Sequence, residues 1–223
     1  MARLARAVAP GAPHHVLQRG NRGQRIFTGD DDYKIYIKLL AEGCSGAGVK
    51  LIAFCLLPNQ VHLILLPRDK DGLRAALGEA HRRFTRAMNQ RRSRDGGLFR
   101  GRFASFPMDR ESLATCSRYV EQAPVRARLV AHPRDWRWSS ARAHLKVKGK
   151  DNLVDRRALL DVVDDWRRAL GVLLPSAEVK LIAARERTGR PLGSPTFVNR
   201  LEKRLGRTLA RQRPGPKPKR KKS

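Results

Sequence analysis

Apolar positions along the chain follow two spacings, and an element ends where one gives way to the other. His14 to Asn21 reads as a short strand closing on a glycine-containing turn. Asp30 to Asp32 offer an N-cap and a negative first turn. Tyr33, Tyr36, Ile37 and Leu40 then recur at helical spacing until Gly43, Gly46 and Gly48 close the helix. Val49 to Leu57 is an apolar run of strand length; Pro58-Asn59 breaks it, and Val61 to Leu66 resumes as the second arm of a hairpin. Leu73, Leu77, Ala80, Phe84 and Met88 mark one face of a long helix that stops before Gly96-Gly97. Phe103 to Met108 predicts another strand. Asp109 then caps a helix whose Leu113, Cys116 and Val120 face the core and whose end is set by Pro124. Trp136 and Trp138, in Trp-Arg-Trp-Ser-Ser, are expected to pack under the sheet rather than stack on bases.

The order strand, helix, strand, strand, helix, strand, helix predicts an α+β class, a ferredoxin-like antiparallel sheet with helices on one face. The composition changes near Lys146. Lys146 to Lys150 reads as a basic turn, Asp155 to Leu174 and Ser176 to Arg187 as helical stretches, and Thr188 to Ser194 as a loop. A basic helix follows from Pro195 to about Arg207. The organisation expected is a core domain at 1–145, a helical DNA-binding extension at 146–210 and a disordered basic tail at 211–223.

Charge narrows the partner. The 223 residues carry 48 Lys and Arg against 20 Asp and Glu, a net +28. Without the seven cations of the tail, residues 1–210 still hold +21, so the body itself is cationic. Such a surplus points to a polyanion, with nucleic acid ahead of an anionic membrane surface. No apolar run is long enough to span a bilayer, and no signal peptide is evident at the N-terminus. Three widely spaced cysteines exclude a disulfide framework, so a cytoplasmic, nucleoid-associated location is expected. The basic positions singled out for DNA are Arg82, Arg83, Arg86, Arg100, Arg102, Arg126, Arg190, Lys203 and Arg204.

The hairpin contains Leu57-Pro-Asn-Gln-Val-His-Leu-Ile64, in which Gln60 and His62 share a face by the period of a strand. The third helix contains Ser117-Arg-Tyr-Val-Glu-Gln-Ala-Pro-Val-Arg126. With His14-His-Val16, Arg19-Gly-Asn21, Leu98-Phe-Arg-Gly-Arg-Phe103 and Trp138-Ser-Ser140, these residues resemble the single-tyrosine HUH transposases, in particular the REP-associated tyrosine transposases. The resemblance runs through residues 10–145 in the family's order.

That resemblance implies an HUH-type sheet and cleavage of single-stranded DNA at hairpin-bearing repeats, with strand transfer through a 5′-phosphotyrosine on Tyr119. It implies a divalent metal, magnesium or manganese, with His62, Gln60 and Gln122 as candidate ligands. The chain departs from the pattern at two ligand positions. Gln60 stands where a histidine is usual, and Ala123 where an asparagine is usual. Gln60 can still bind a hard cation through its amide oxygen. His14 and His15 read as strand or phosphate-contact residues. Two alternatives stay open: a relative that binds DNA hairpins without cutting them, and a basic RNA-binding module; monomer and homodimer are both open under every reading. The second predicts exposed aromatics on central strands, where only Phe54 is found.

Overall fold

A computed structural model of the chain describes residues 6–147 and 153–210. Strands β1 (His14–Arg19), β2 (Val49–Leu57), β3 (Gln60–Pro67) and β4 (Ala104–Pro107) form one antiparallel sheet in the order β2-β3-β1-β4. Helices α1 (Asp30–Gly46) and α2 (Gly72–Arg92) connect the first strands, and α3 (Arg110–Glu121) follows β4. This is the ferredoxin-like strand order. The hairpin turn falls at Pro58-Asn59, where the missing N–H of proline ends the ladder.

Helices cover both faces of the sheet, where one face was expected. Val16, Leu63, Leu65 and Phe54 pack on one side with Tyr36, Leu40, Leu77 and Phe84 of α1 and α2. Ile52, Ala53, Ile64 and Phe106 pack on the other with Leu113, Cys116 and Val120 of α3. Strands buried on both faces read as near-continuous apolar runs, and that is how Val49–Leu57 reads.

After α3 come short helices α4 (Ala123–Arg126), α5 (Ala141–His144), α6 (Arg156–Leu160) and α7 (Trp166–Gly171), then α8 (Ser176–Thr188) and α9 (Pro195–Leu205). The helical stretch expected over 155–174 holds two short helices, α6 and α7. Asp165 accepts a hydrogen bond from the Arg168 N–H at 2.9 Å and starts the second, in a segment whose acids and β-branched valines disfavour a continuous helix. Leu159, Trp166, Leu170, Leu174, Ile182 and Leu192 enter the same core as α3. The extension is therefore packed into the sheet's second face.

Both sheet edges are covered by the chain itself, which removes templates for pairing with another chain. On β2, the Leu56 N–H donates to Trp138 O at 2.9 Å and the Asp155 N–H to Leu51 O at 2.7 Å. On β4, the Leu192 N–H donates to Pro107 O at 3.0 Å. Trp138 stacks on Tyr33 with centroids 4.5 Å apart, and Trp136 Nε1 donates to Leu56 O at 3.0 Å, so both indoles are structural as expected. The basic tail and most of the turn at Lys146–Lys150 lie outside the described residues.

Candidate active site

The face of the sheet under α3 carries a buried polar group. Register sets it up: His15 lies opposite Ile64 and Leu17 opposite His62, so the two imidazoles are diagonal neighbours across β1 and β3. His15 Nε2 sits 3.3 Å from His62 Nδ1. Helix α8 brings Glu186 over them, with Oε1 at 3.9 Å from His15 Nδ1 and 3.8 Å from His62 Nδ1. The other oxygen accepts from Arg19 Nη2 at 3.2 Å. Tyr119, on α3, stands edge-on to both rings, with centroids 5.8 Å from His15 and 6.0 Å from His62. The phenol expected on the third helix and the imidazole expected on the hairpin thus converge on one face.

The alignment of α3 decides where the phenol points. Asp109 Oδ1 accepts from the Ser112 N–H at 2.9 Å, an N-cap, and Oδ2 accepts from the Ser194 N–H at 2.7 Å. That second bond pins the loop before α9 to the start of α3. A side chain on Gly193 would come within 2.4 Å of the same carboxylate, so only glycine allows the approach. At the other end, Arg126 on α4 lies 4.0 Å over the Tyr119 ring and donates from Nη2 to Tyr119 O at 2.5 Å. Its Nη1 is buried without a partner among the described residues.

Burial sets the protonation states. It holds His15 down to about 3 and His62 well below the usual imidazole range, and the Arg126 and Arg19 charges add to both shifts. Both rings are neutral at physiological pH, the form that offers a lone pair. Burial raises the Glu186 carboxyl despite Arg19 beside it. Burial, with the Glu186 charge added, raises the Tyr119 phenol, while Arg126 and Arg19 pull the other way. Tyr119 is 7% exposed.

Among the described residues, His15, His62 and Glu186 place one donor atom each within 4.8 Å of one another. Oε1 of Glu186 is a buried carboxylate oxygen with no hydrogen-bond partner among the described residues, facing two neutral imidazoles. An unsatisfied buried acceptor is costly, and a cation held by the three groups would satisfy it. Two imidazoles and one carboxylate suit a divalent ion, with manganese favoured over magnesium by the nitrogen donors.

The other expected ligands are placed differently. Gln60 begins β3 on the His62 side and lines a cavity at the hairpin turn. Gln122 caps α3 and is turned the other way. Its Nε2 donates to Leu170 O at 3.0 Å and Val172 O at 2.7 Å, and its Oε1 accepts from the Leu174 N–H at 3.1 Å. Gln122 closes α3 in helical conformation, and these bonds tie it to α7 and the residues that follow. His15 joins the cluster although its sequence context reads as structural. Glu186, 124 positions from His62 and outside every motif, was not singled out; no local pattern separates it from the other acids of the extension.

Of the basic positions, Arg86, Arg100, Arg102 and Lys203 are exposed, while Arg126 stands at the site. Arg82 is paired with Glu79 at 2.8 Å and Arg83 with Glu42 at 2.6 Å. Arg190 donates to the carbonyls of Leu209 and Ala210, and Arg204 Nη1 to Pro10 O at 3.1 Å.

The family model described as "Transposase IS200 like" matches residues 11–123, just over half of the chain, from before β1 to the first residue past α3 and its cap. The chain belongs to the IS200-like transposase family. A Haemophilus influenzae protein, named provisionally as a REP-associated tyrosine transposase, is 26% identical over 116 residues. The match covers 47% of this IS200-like chain and 66% of that protein. A solved REP-associated tyrosine transposase bound to a REP hairpin superposes with a TM-score of 0.57 at 18% identity. That match covers 70% of the IS200-like chain and 94% of the solved one, and it shows a shared fold. No helix among the described residues is long and apolar enough to cross a membrane.

Proposed function

We propose that this chain cuts and rejoins single-stranded DNA beside hairpins, through a phosphotyrosine formed on Tyr119. The observation that carries the reading is the convergence of Tyr119, His15, His62 and Glu186 in one buried cluster flanked by Arg19 and Arg126. The family membership and the hairpin in the solved relative support it.

Tyr119 Oη is the nucleophile. It attacks the scissile phosphorus, the P–O3′ bond breaks, and the leaving 3′-oxygen takes up a proton as the phenol gives one up. The DNA 5′ end is then esterified to Tyr119 and the 3′-hydroxyl is free to reverse the step on another strand. A divalent ion held by His15, His62 and Glu186 would supply Lewis-acid stabilisation of the phosphate. Arg126, with an unpaired Nη1, and Arg19 supply two cationic donors for phosphate oxygens. For a strand to enter, Arg19 exchanges the Glu186 carboxylate for a phosphate oxygen.

A second reading, a hairpin-binding protein that does not cut, is favoured by Ala123, packed in the core with no donor atom, and by the burial of Tyr119. A nicking assay on hairpin-bearing single strands with manganese separates the two. Our reading predicts product from the wild type and none from Tyr119→Phe. Tight binding with no product from either protein supports the second.

A further inference from the structure

At the turn between β2 and β3 lies a cavity of about 290 Å³, at the small end of ligand-binding pockets. Leu57, Pro58 and Leu129 give it apolar walls, and Arg25, Asn59 and Gln60 give it polar edges. Two chain connections tie it to the site. Gln60 is two residues from His62 on the same face of β3, about 7 Å along the strand. Ala127, also in the lining, follows Arg126, whose guanidinium covers the Tyr119 ring.

The lining selects a chemistry. It contains no acid, so a cationic ligand finds no partner. Leu129 is 41% exposed, an apolar surface that gains by being covered. The side-chain amides of Asn59 and Gln60 line it, and each can both donate and accept. Apolar walls beside amides that both donate and accept match a nucleobase, whose faces are apolar and whose edge carries donors and acceptors. The frame is preformed: Pro58 O accepts from the N–H groups of Ile26 at 2.7 Å and Phe27 at 3.0 Å, and Asn59 O accepts from the Gly20 N–H at 2.9 Å. Arg25 is exposed at the rim, placed to offset the phosphate of the same nucleotide.

We propose that this cavity receives one unstacked base of the DNA strand, that of the nucleotide adjoining the phosphate attacked by Tyr119. The proposal rests on reading the neighbouring cluster as a phosphodiester site. It makes Asn59, Gln60 and Leu129 the residues that choose where a strand is cut. Gln60 would then read a base rather than hold a metal.

The test compares the affinity of the full-length chain for a thymidine oligonucleotide and for an abasic strand of equal length, in EDTA so that nothing is cut. The two probes present the same phosphates. The wild type should prefer the base-bearing strand by about tenfold, the discrimination of one good polar contact to a base. Leu129→Ala and Asn59→Ala should each shrink that ratio at least about threefold and leave abasic affinity unchanged. A wild-type ratio near one overturns the proposal, and so does a ratio that survives in both variants. A ratio abolished by the variants in a chain that never nicks DNA upholds the pocket and removes the nuclease reading. Nicking with no base preference does the reverse.

Discussion

His14 and His15 are neighbours in β1 and point to opposite faces of the sheet. His14 is enclosed: the Ala9 N–H donates to its Nε2 at 3.0 Å, and its Nδ1 donates to Ala12 O at 2.8 Å. Every polar atom of the ring is satisfied by backbone. His15 touches a second imidazole, a carboxylate and a phenol instead. The contrast extends to the faces themselves. The α1/α2 face is filled by side chains such as Tyr36, Phe84 and Leu63, whereas the α3/α8 face buries His15, His62, Tyr119, Glu121, Gln122 and Glu186. Both faces carry apolar core, and the second also gathers buried polar groups.

Not every polar group on that second face is functional, and two buried carboxylates show how to tell. Glu121 is fully satisfied. Oε1 accepts from Ser140 Oγ at 2.5 Å and contacts His144 Nδ1 at 2.5 Å, and Oε2 accepts from Trp166 Nε1 at 3.0 Å. That network joins α3 to α5 and α7. Glu186 keeps one oxygen without a hydrogen-bond partner among the described residues, against two imidazoles. The first is an arrangement for holding helices, the second one for holding something else.

The sharpest way to break this comparison is to remove each carboxylate in turn. Glu121→Ala leaves the buried donors His144 Nδ1 and Trp166 Nε1 unpaired and should destabilise the chain by about 3 kcal/mol or more in urea unfolding. Glu186→Ala should leave stability nearly unchanged yet lower manganese-dependent nicking by about 100-fold or more. Equal stability losses in the two variants would erase the distinction between them.

Acidification probes the His14 side. Burial lowers His14 from 6.5 to about 4, so the unfolded chain takes the proton first. Its contribution is intact above about pH 6.5 and is lost progressively as the pH falls towards 4. At pH 5 the loss is roughly 2 kcal/mol, because protonation puts a charge on a ring buried away from water. Urea unfolding at pH 7 and pH 5 should show a drop larger by that amount in wild type than in His14→Gln. The smallest effect is expected at Asp109. Asp109→Ala removes an N-cap and should cost about 1 kcal/mol, with a further decrease in nicking as α3 and Tyr119 lose their anchor.

The strands, the first three long helices and the hairpin turn are legible in the sequence because each boundary has a local cause. Pro58 lacks an N–H, Asp109 caps, and glycines close α1. The pairing of Tyr119 with His62 is legible through motif order. The rest depends on tertiary placement. Whether a strand histidine is enclosed like His14 or joins a site like His15 depends on what packs above it, and that is α8, a hundred and more residues away. Gln122 reads as a neighbour of Tyr119 on one helix face. Its amide is drawn off the site by the backbone of α7 and the residues after it, with which it makes three hydrogen bonds. The division between α6 and α7 follows from acids that also suit a helix start, which composition alone does not distinguish.

The account's central claim is that Tyr119 reacts within the His15–His62–Glu186 cluster. Mass spectrometry of the chain after incubation with manganese and a hairpin-bearing single strand tests it directly. A nucleotide adduct on the peptide containing Tyr119, lost in His15→Ala, is the predicted result. Cleaved DNA with no adduct, or an adduct on Tyr33 or Tyr36, would contradict it.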